Sequence, residues 1–505
     1  MISAFTNIWK IEELKNRLLF TLAMVFIVRL GVAITIPGVD ASVIQDYLDW
    51  RMSSDDGSTN TGAAVGALLN VFSGGGLEKC GIFALGIMPY ISASIMMQLM
   101  TAVVPQLAKL SREDGGRQRI NQYTRYITIV IAIVQGFMIA KSLENPDSAL
   151  YLSGIEQHGK LVPDFGWGFV TIAVITLVSG TMFLAWIGDQ ITERGIGNGV
   201  SLIISVNIIA ALPGALVQAW NTFVASPDAG AFDPMILVGL IGFLLFVIAA
   251  VIAITQAQRR IAVQYAGQVG GGRKQMTRQT QYLPLKVNYA GVMPIIFASA
   301  ILTFPPFILG QFFGGQTWAL KLGEWLSPAS SVYYVIAGLM IFFFSYFWVS
   351  TFFNPTEISE NLKKSGGYIP GVRAGKPTSN FLDFTMTRLT FAGSIFLTII
   401  FVLPMLLGNW LGIPYMVTQF FGGTSLLILV GVLLDMMRQI ETHLIQKNYD
   451  GFLRKGKIKG RYDRLQAKRG AATASQGNTV TYLWVFIAVI VVLAIAAYIQ
   501  SSISG

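Results

Sequence analysis

Cysteine occurs once in this sequence, at Cys80, and histidine only twice, at His158 and His443. One thiol excludes an intrachain disulfide and a cysteine-rich metal site. Charge is also scarce. Only 12% of the 505 residues are Asp, Glu, Lys or Arg, against about 25% in soluble domains, while 53% are hydrophobic and the mean hydropathy is +0.59. The composition is that of an integral membrane protein. Scarcest of all are ionisable residues inside the apolar runs: Arg29 is the one clear case, and Asp435 lies near the end of a run. Secondary transporters and solute channels mark their pathways with such residues, so that class is kept only as the alternative reading. An intramembrane hydrolase would need a serine, histidine or paired-carboxylate constellation within the runs. Both histidines fall outside the run centres and no HExxH motif occurs, which places this reading last.

What the chain does have is length in apolar runs. A helix needs about 20 residues to cross a hydrocarbon core of roughly 30 Å. Runs of that kind predict spans near 18–37, 80–101, 126–143, 167–187, 199–219, 235–255, 290–310, 332–353, 388–407 and 423–442. An eleventh run, VTYLWVFIAVIVVLAIAAYIQ at 480–500, has no charged residue. The start, Met1 to Arg17, is polar and amphipathic, with no cleavable signal sequence, so the N-terminus is expected to be retained.

Thirty of the 36 lysines and arginines fall in the N-terminus and in every second connection between spans; the exceptions are Arg29, Arg51, Lys79, Lys141, Lys160 and Lys321. Segments rich in these residues resist translocation, which assigns the N-terminus and those connections to the cytoplasm. Two of the connections, 256–289 and 354–388, far exceed the 2–8 residues that usually join helices in bundles. The first carries six basic residues and no acidic one, with VGGGRK permitting a tight reversal; the second has turn signals at Gly366-Gly367 and Pro370-Gly371. Topogenic charge is the plain explanation of any single Lys or Arg. Basic residues at the loop tips also suit an anionic partner such as RNA phosphate or an acidic protein surface.

Between the first two long runs lies TGAAVGALLNVFSGGG, residues 61–76, apolar enough to insert, too short to span, and ended by glycines. It reads either as a half-inserted helix or as an interfacial helix outside the membrane. Half-insertion implies a cavity, because non-helical backbone at membrane depth must be buried in protein or line water. Glu78 and Lys79 would sit at the mouth of such a cavity and Gly81, Gly86 and Pro89 along it. An aliphatic lining offers no site to a small polar solute, but it can act as a hydrophobic constriction that gates by dewetting.

The stretches FSGGGLEKCGIFALGIMPYISASI, GDQITERGIGNGVSLII, QRRIAVQYAG, LPLKVNYAGVMPIIFAS, NLKKSGGYIPGVRAG and FGGTSLLILVGVLLD resemble, in order and spacing, those of bacterial SecY, the channel subunit of the Sec protein translocase. The resemblance covers about residues 1–465. It implies an all-α polytopic fold, a ten-helix clamshell with an N-terminal half at 1–220 and a C-terminal half at 221–465. It implies a protein-conducting channel in the bacterial cytoplasmic membrane that passes unfolded secretory proteins and releases membrane spans sideways into the bilayer. No catalytic residue, cofactor or metal is expected. Carried over by residue, the family's pore ring falls on Ile87, Ile91, Val200, Ile204, Ile296 and Ile428, and its plug on 61–76 with Phe72, Ser73 and Gly74 at the tip. The lateral gate, built from the second, third, seventh and eighth spans, carries Gln135 and Asn288, uncharged amides able to hydrogen-bond across a helix interface. Arg259, Arg260, Arg273, Lys274 and Arg373 match positions that dock the ATPase SecA or the ribosome. SecE and SecG are the expected small membrane partners, with signal sequences and nascent or unfolded chains as passing ones.

Gly-rich RGIGNG at 194–199 lacks the Walker pattern and a preceding soluble strand, and reads as close packing beneath the fifth span rather than as a phosphate loop. Beyond the resemblance lie a basic tail and the run at 480–500, together 466–505. The uncharged run is expected to form an additional transmembrane helix, which by the inside-positive rule would put Gly505 outside. It reads as a lipid-facing anchor, or as a helix that occupies a partner's site or the lateral gate. The first is favoured because the run lacks a polar or small-residue face.

Overall fold

The computed structural model describes residues 12–53, 70–113, 115–144, 159–220, 234–265, 280–313, 316–327, 330–411 and 424–454, apart from Val71 and Asp164, together with Ile155, Phe223, Val417 and Thr418. Most of the plug segment, Arg273, Lys274, the basic tail and the run at 480–500 lie outside the described residues. The helices are α1 (Glu12–Ala33), α2 (Ala41–Ser53), α3 (Met88–Val103), α4 (Pro105–Arg112), α5 (Gly116–Ser142), α6 (Trp167–Arg194), α7 (Gly199–Trp220), α8 (Pro234–Gln256), α9 (Met293–Phe313), α10 (Thr317–Trp325), α11 (Ser331–Phe352), α12 (Pro355–Lys364), α13 (Lys376–Leu411) and α14 (Thr424–Arg454).

Each of the ten expected spans is met by one of these helices: α1, α3, α5 to α9, α11, α13 and α14. By length and apolarity alone, 7 described helices can cross a membrane, or 8 when α3 and α4 count as one broken span. The apolar part of α9 described at that standard, Met293–Thr303, is shorter. The break between α3 and α4 bends the chain by 105°. Val104 is extended there because the ring of Pro105 excludes the helical region for the residue before it.

The second span differs from its expected bounds. The chain from Gly74 to Ile87 is a succession of turns and becomes helical only at Met88. Gly74, Gly75 and Gly86 take φ of 69°, 87° and 57°, a region that side chains rarely enter, and Cys80 joins them at 45°. This irregular backbone is satisfied by the chain leaving α1: Ile36 N–H donates to Cys80 O at 2.9 Å and Ile82 N–H to Ile34 O at 2.9 Å.

One apolar core runs through nine of the ten long helices, all except α5, which packs with α2 and α6 in a second cluster around Tyr47, Cys80, Leu143 and Leu177. A feature not read from the sequence is a small sheet in the two long connections, β1 (Gln258–Tyr265), β2 (Thr280–Lys286) and β3 (Gly367–Tyr368), in the order β2-β1-β3 and antiparallel throughout. Ile261, Val263 and Leu285 point one way and bury against Ile369, Leu382 and Met386, so both connections share a core with the start of α13. That core also accounts for α13, the helix of the ninth expected span, starting at Lys376, well before the expected 388.

Candidate functional site

Ile87 is the N-cap of α3, and Ile91 stands one turn further; Val200 and Ile204 repeat that spacing on α7. Residues four apart share a helix face, so two helices each present two aliphatic side chains. Ile296 on α9 and Ile428 on α14 complete the set. Ile87, Ile91, Ile204, Ile296 and Ile428 are buried members of one cluster, and Val200, half-buried, packs against it. Five of the six expected ring residues, drawn from positions as far apart as 87 and 428, thus belong to the one core that joins the long helices, with Val200 against it. Phe72, 3% exposed, lies in the same cluster.

The backbone around Phe72 is held by two polar side chains that the surrounding apolar residues make conspicuous. Asn207 on α7, 2% exposed, donates from Nδ2 to Phe72 O at 2.8 Å. Arg29 on α1 donates from Nη1 to Gly74 O at 3.0 Å. Ser73 braces the turn from within, its Oγ donating to Asn70 O at 3.1 Å and accepting from Leu77 N–H at 3.2 Å, and Asn70 Nδ2 donates to Glu78 Oε2 at 2.6 Å. A side chain on Gly86 would come within 3.3 Å of Phe72 O and Ser73 Cα, so the segment lies directly against the entry to α3.

The gate positions behave differently from expectation. Helices α3 and α9 pack together, as do α3 with α5 and α9 with α11. Asn288, however, spends its amide locally, donating from Nδ2 to Gly291 O at 3.0 Å in the turn before α9. Gln135 is buried on α5 with an Nε2 that has no partner among the described residues. Neither makes the expected bond across a helix interface. Asn288 is diverted because Gly291, at φ 66°, curls the chain back within its reach. Arg259 and Arg260 project from β1 and Arg373 from the turn after β3, all three exposed. Asn207 was not singled out from the sequence, and Arg29 was noted only for its charge.

Such a bundle of long apolar helices, with non-helical backbone at 74–87 whose carbonyls and amides are satisfied from within the protein, defines a polytopic helical membrane protein. The family model described as SecY matches residues 81–437. The chain is 41% identical over 452 residues to the protein translocase subunit SecY of Escherichia coli, covering 89% of this chain and 96% of that one. It is 38% identical over 467 residues to that of Chlamydia trachomatis, covering 91% and 100%. Among solved structures, that of a protein conducting channel aligns with a TM-score of 0.58 at 16% identity over 85% of this chain and 92% of the other. Sec61 in a canine ribosome-channel complex aligns with 0.55 at 15% over the same shares. The chain belongs to the SecY family.

Proposed function

We propose that the chain, a protein-conducting channel of the SecY family, passes unfolded secretory polypeptides through the collar of Ile87, Ile91, Val200, Ile204, Ile296 and Ile428. It releases apolar segments into lipid between α3 with α5 on one side and α9 with α11 on the other. The collar suits this task because short flexible aliphatics close around any side chain while giving water and ions nothing to bind. Phe72, Ser73 and Gly74 form the tip of a plug that seals the collar at rest and leaves when a chain enters. The observation that carries this reading is that Phe72 shares one buried cluster with Ile87, Ile91, Ile204, Ile296 and Ile428 and lies against the entry to α3 at Gly86.

The two halves, 1–220 and 221–465, open as a clamshell in the bacterial cytoplasmic membrane with the N-terminus in the cytoplasm. The sheet and its loops then face the cytosol, where Arg259, Arg260, Arg273, Lys274 and Arg373 dock SecA or the ribosome. SecE and SecG complete the membrane complex, and the run at 480–500 anchors the tail in lipid.

The test is protease protection of a secretory precursor in vesicles holding this chain with its small partners, SecA and ATP, beside a chain stopped at Asn478. Protection in both supports the channel and a tail that only anchors; protection in one alone makes the tail inhibitory or required. Protection in neither overturns the reading.

A further inference from the structure

Arg29 is the only charged residue between Leu18 and Ala33. A guanidinium within an apolar span is costly unless it has a partner, and here its partner is a main-chain carbonyl, Gly74 O. The need is mutual. Gly74 lies in non-helical backbone, whose carbonyls have no helical donor and must find one in the protein. Phe72 O receives its donor in the same way from Asn207.

Asn207 makes only half the use of its amide that it could. Its Oδ1 is buried and has no hydrogen-bond partner among the described residues, so the side chain is not placed there to satisfy itself. Packing alone would be served better by leucine, which strands no polar atom. What distinguishes asparagine at this position is the donor aimed at Phe72 O. Gly74 shows how closely the two side chains converge: a Cβ built on it would stand 2.5 Å from Asn207 Oδ1 and 2.8 Å from Arg29 Nη1, at a φ of 69°. Both side chains grip main chain, so the grip does not depend on which side chains the plug tip carries, provided residue 74 has none.

We infer that Arg29 and Asn207 are positioning residues of the closed channel, a two-point latch that keeps the plug seated by its carbonyls and so sets how strong a signal sequence must be to open it. The inference rests on the plug and collar reading given above. Departure of the plug strips both donors of their acceptors at once. The latch therefore adds a fixed amount to the opening free energy whatever chain is being exported.

The experiment uses the full chain with its small partners in proteoliposomes, reading resting halide leak and SecA-driven import of two precursors, one with an intact and one with a weakened signal. Arg29→Met is expected to raise both the leak and import of the weakened precursor about tenfold, and Asn207→Leu about fivefold, the ratios that correspond to one lost charge-assisted and one lost neutral hydrogen bond. Arg29→Lys, which keeps a donor, should stay within about twofold of the parent, and the intact precursor should be imported normally by all three. Ile296→Asn serves as the comparison arm. If it raises the leak while Arg29→Met and Asn207→Leu do not, the latch is overturned and the collar stands; if none of the three does, the collar reading falls as well. Equal defects in Arg29→Met and Arg29→Lys, shared by both precursors, would make Arg29 structural and overturn the latch. Should Arg29→Met fail to accumulate, Asn207→Leu decides alone.

Discussion

The backbone amide of Gly197 donates to Oε1 of Gln439 at 2.8 Å, tying the turn between α6 and α7 to the last long helix, α14. The neighbouring amide of Ile196 donates to Thr21 Oγ1 on α1 at 3.2 Å, and Ile196 itself is buried with Leu14 and Ile440. One turn thus joins the first and last described long helices. Gln439→Leu removes the acceptor while keeping the bulk, leaving the Gly197 amide unpaired in a partly buried place. A stability loss of about 1–3 kcal/mol is expected, seen as a lower midpoint of thermal unfolding in detergent. A midpoint equal to that of the parent would show that the bond contributes nothing.

Close packing at the start of α7 gives a second expectation. A Cβ on Gly199 would overlap Gly188 O, which belongs to the backbone of α6 and cannot swing aside. Gly199→Ala should therefore force the two helices apart and lower the unfolding midpoint by the equivalent of about 1–3 kcal/mol or more. Gly214, on the same helix, has nothing within 4 Å of where its Cβ would be. Gly214→Ala should be neutral or gain about 0.5–1 kcal/mol, which separates packing from helix propensity.

Ile428 is 0% exposed and Ile296 3%. Asparagine at either position places an amide among aliphatics with no hydrogen-bond partner, at a cost of about 1–3 kcal/mol to the closed state, whereas an opened and hydrated pore imposes no such cost. Ile428→Asn and Ile296→Asn should each let a reporter with a defective signal sequence be exported, by roughly tenfold or more over the parent. Ile428→Val, one methylene smaller, should stay close to the parent. Unchanged signal stringency in both asparagine variants would remove these residues from the gate.

Much of this arrangement is legible in the sequence, and what is not has physical causes. The long helices follow from run length alone, since only a helix of about 20 residues can cross with its backbone satisfied. The collar residues could be placed only through the family resemblance. A buried Ile is the commonest sight in such a chain, and nothing in its spacing says that positions 91, 204, 296 and 428 share one core cluster. Arg29 announces itself as a charge in an apolar run, but its partner lies 45 residues away and is a carbonyl, which has no sequence signature. Asn207 gives less, because an amide in a span looks like ordinary interhelical glue. The sheet did have a signal: Ile261, Val263 and Tyr265 recur at the strand period, with small Ala262 and polar Gln264 between them, beneath a charge pattern that pointed toward partners instead. The turns of 74–87 were announced by their glycines, yet the apolar run continuing to residue 101 hid where the helix begins.

Arg373 stands in a turn shaped by Gly371 and Gly375, at φ of 84° and 98°. The turn is fixed from both sides: Thr378 Oγ1 donates to Arg373 O at 2.8 Å, and Ser359 Oγ on α12 donates to Gly375 O at 2.7 Å. Because the backbone is tethered by these bonds and the guanidinium is exposed, a substitution there should leave stability alone and act on whatever docks. Arg373→Glu replaces a forked donor with a repelling carboxylate and is expected to weaken binding of SecA or the ribosome at least tenfold at physiological salt, with the unfolding midpoint unchanged. Arg373→Lys keeps the charge without the fork and should fall between the two. Raising the salt concentration distinguishes the partners. Contacts to RNA phosphate weaken steeply and log-linearly with salt through counterion release, so removing one such contact should lower the slope by about 1, while a single carboxylate pair on a protein surface should change it far less. Equal affinity of Arg373→Glu and the parent for both partners, at any salt, would take this turn out of the docking surface and leave Arg259 and Arg260 on β1 to account for it.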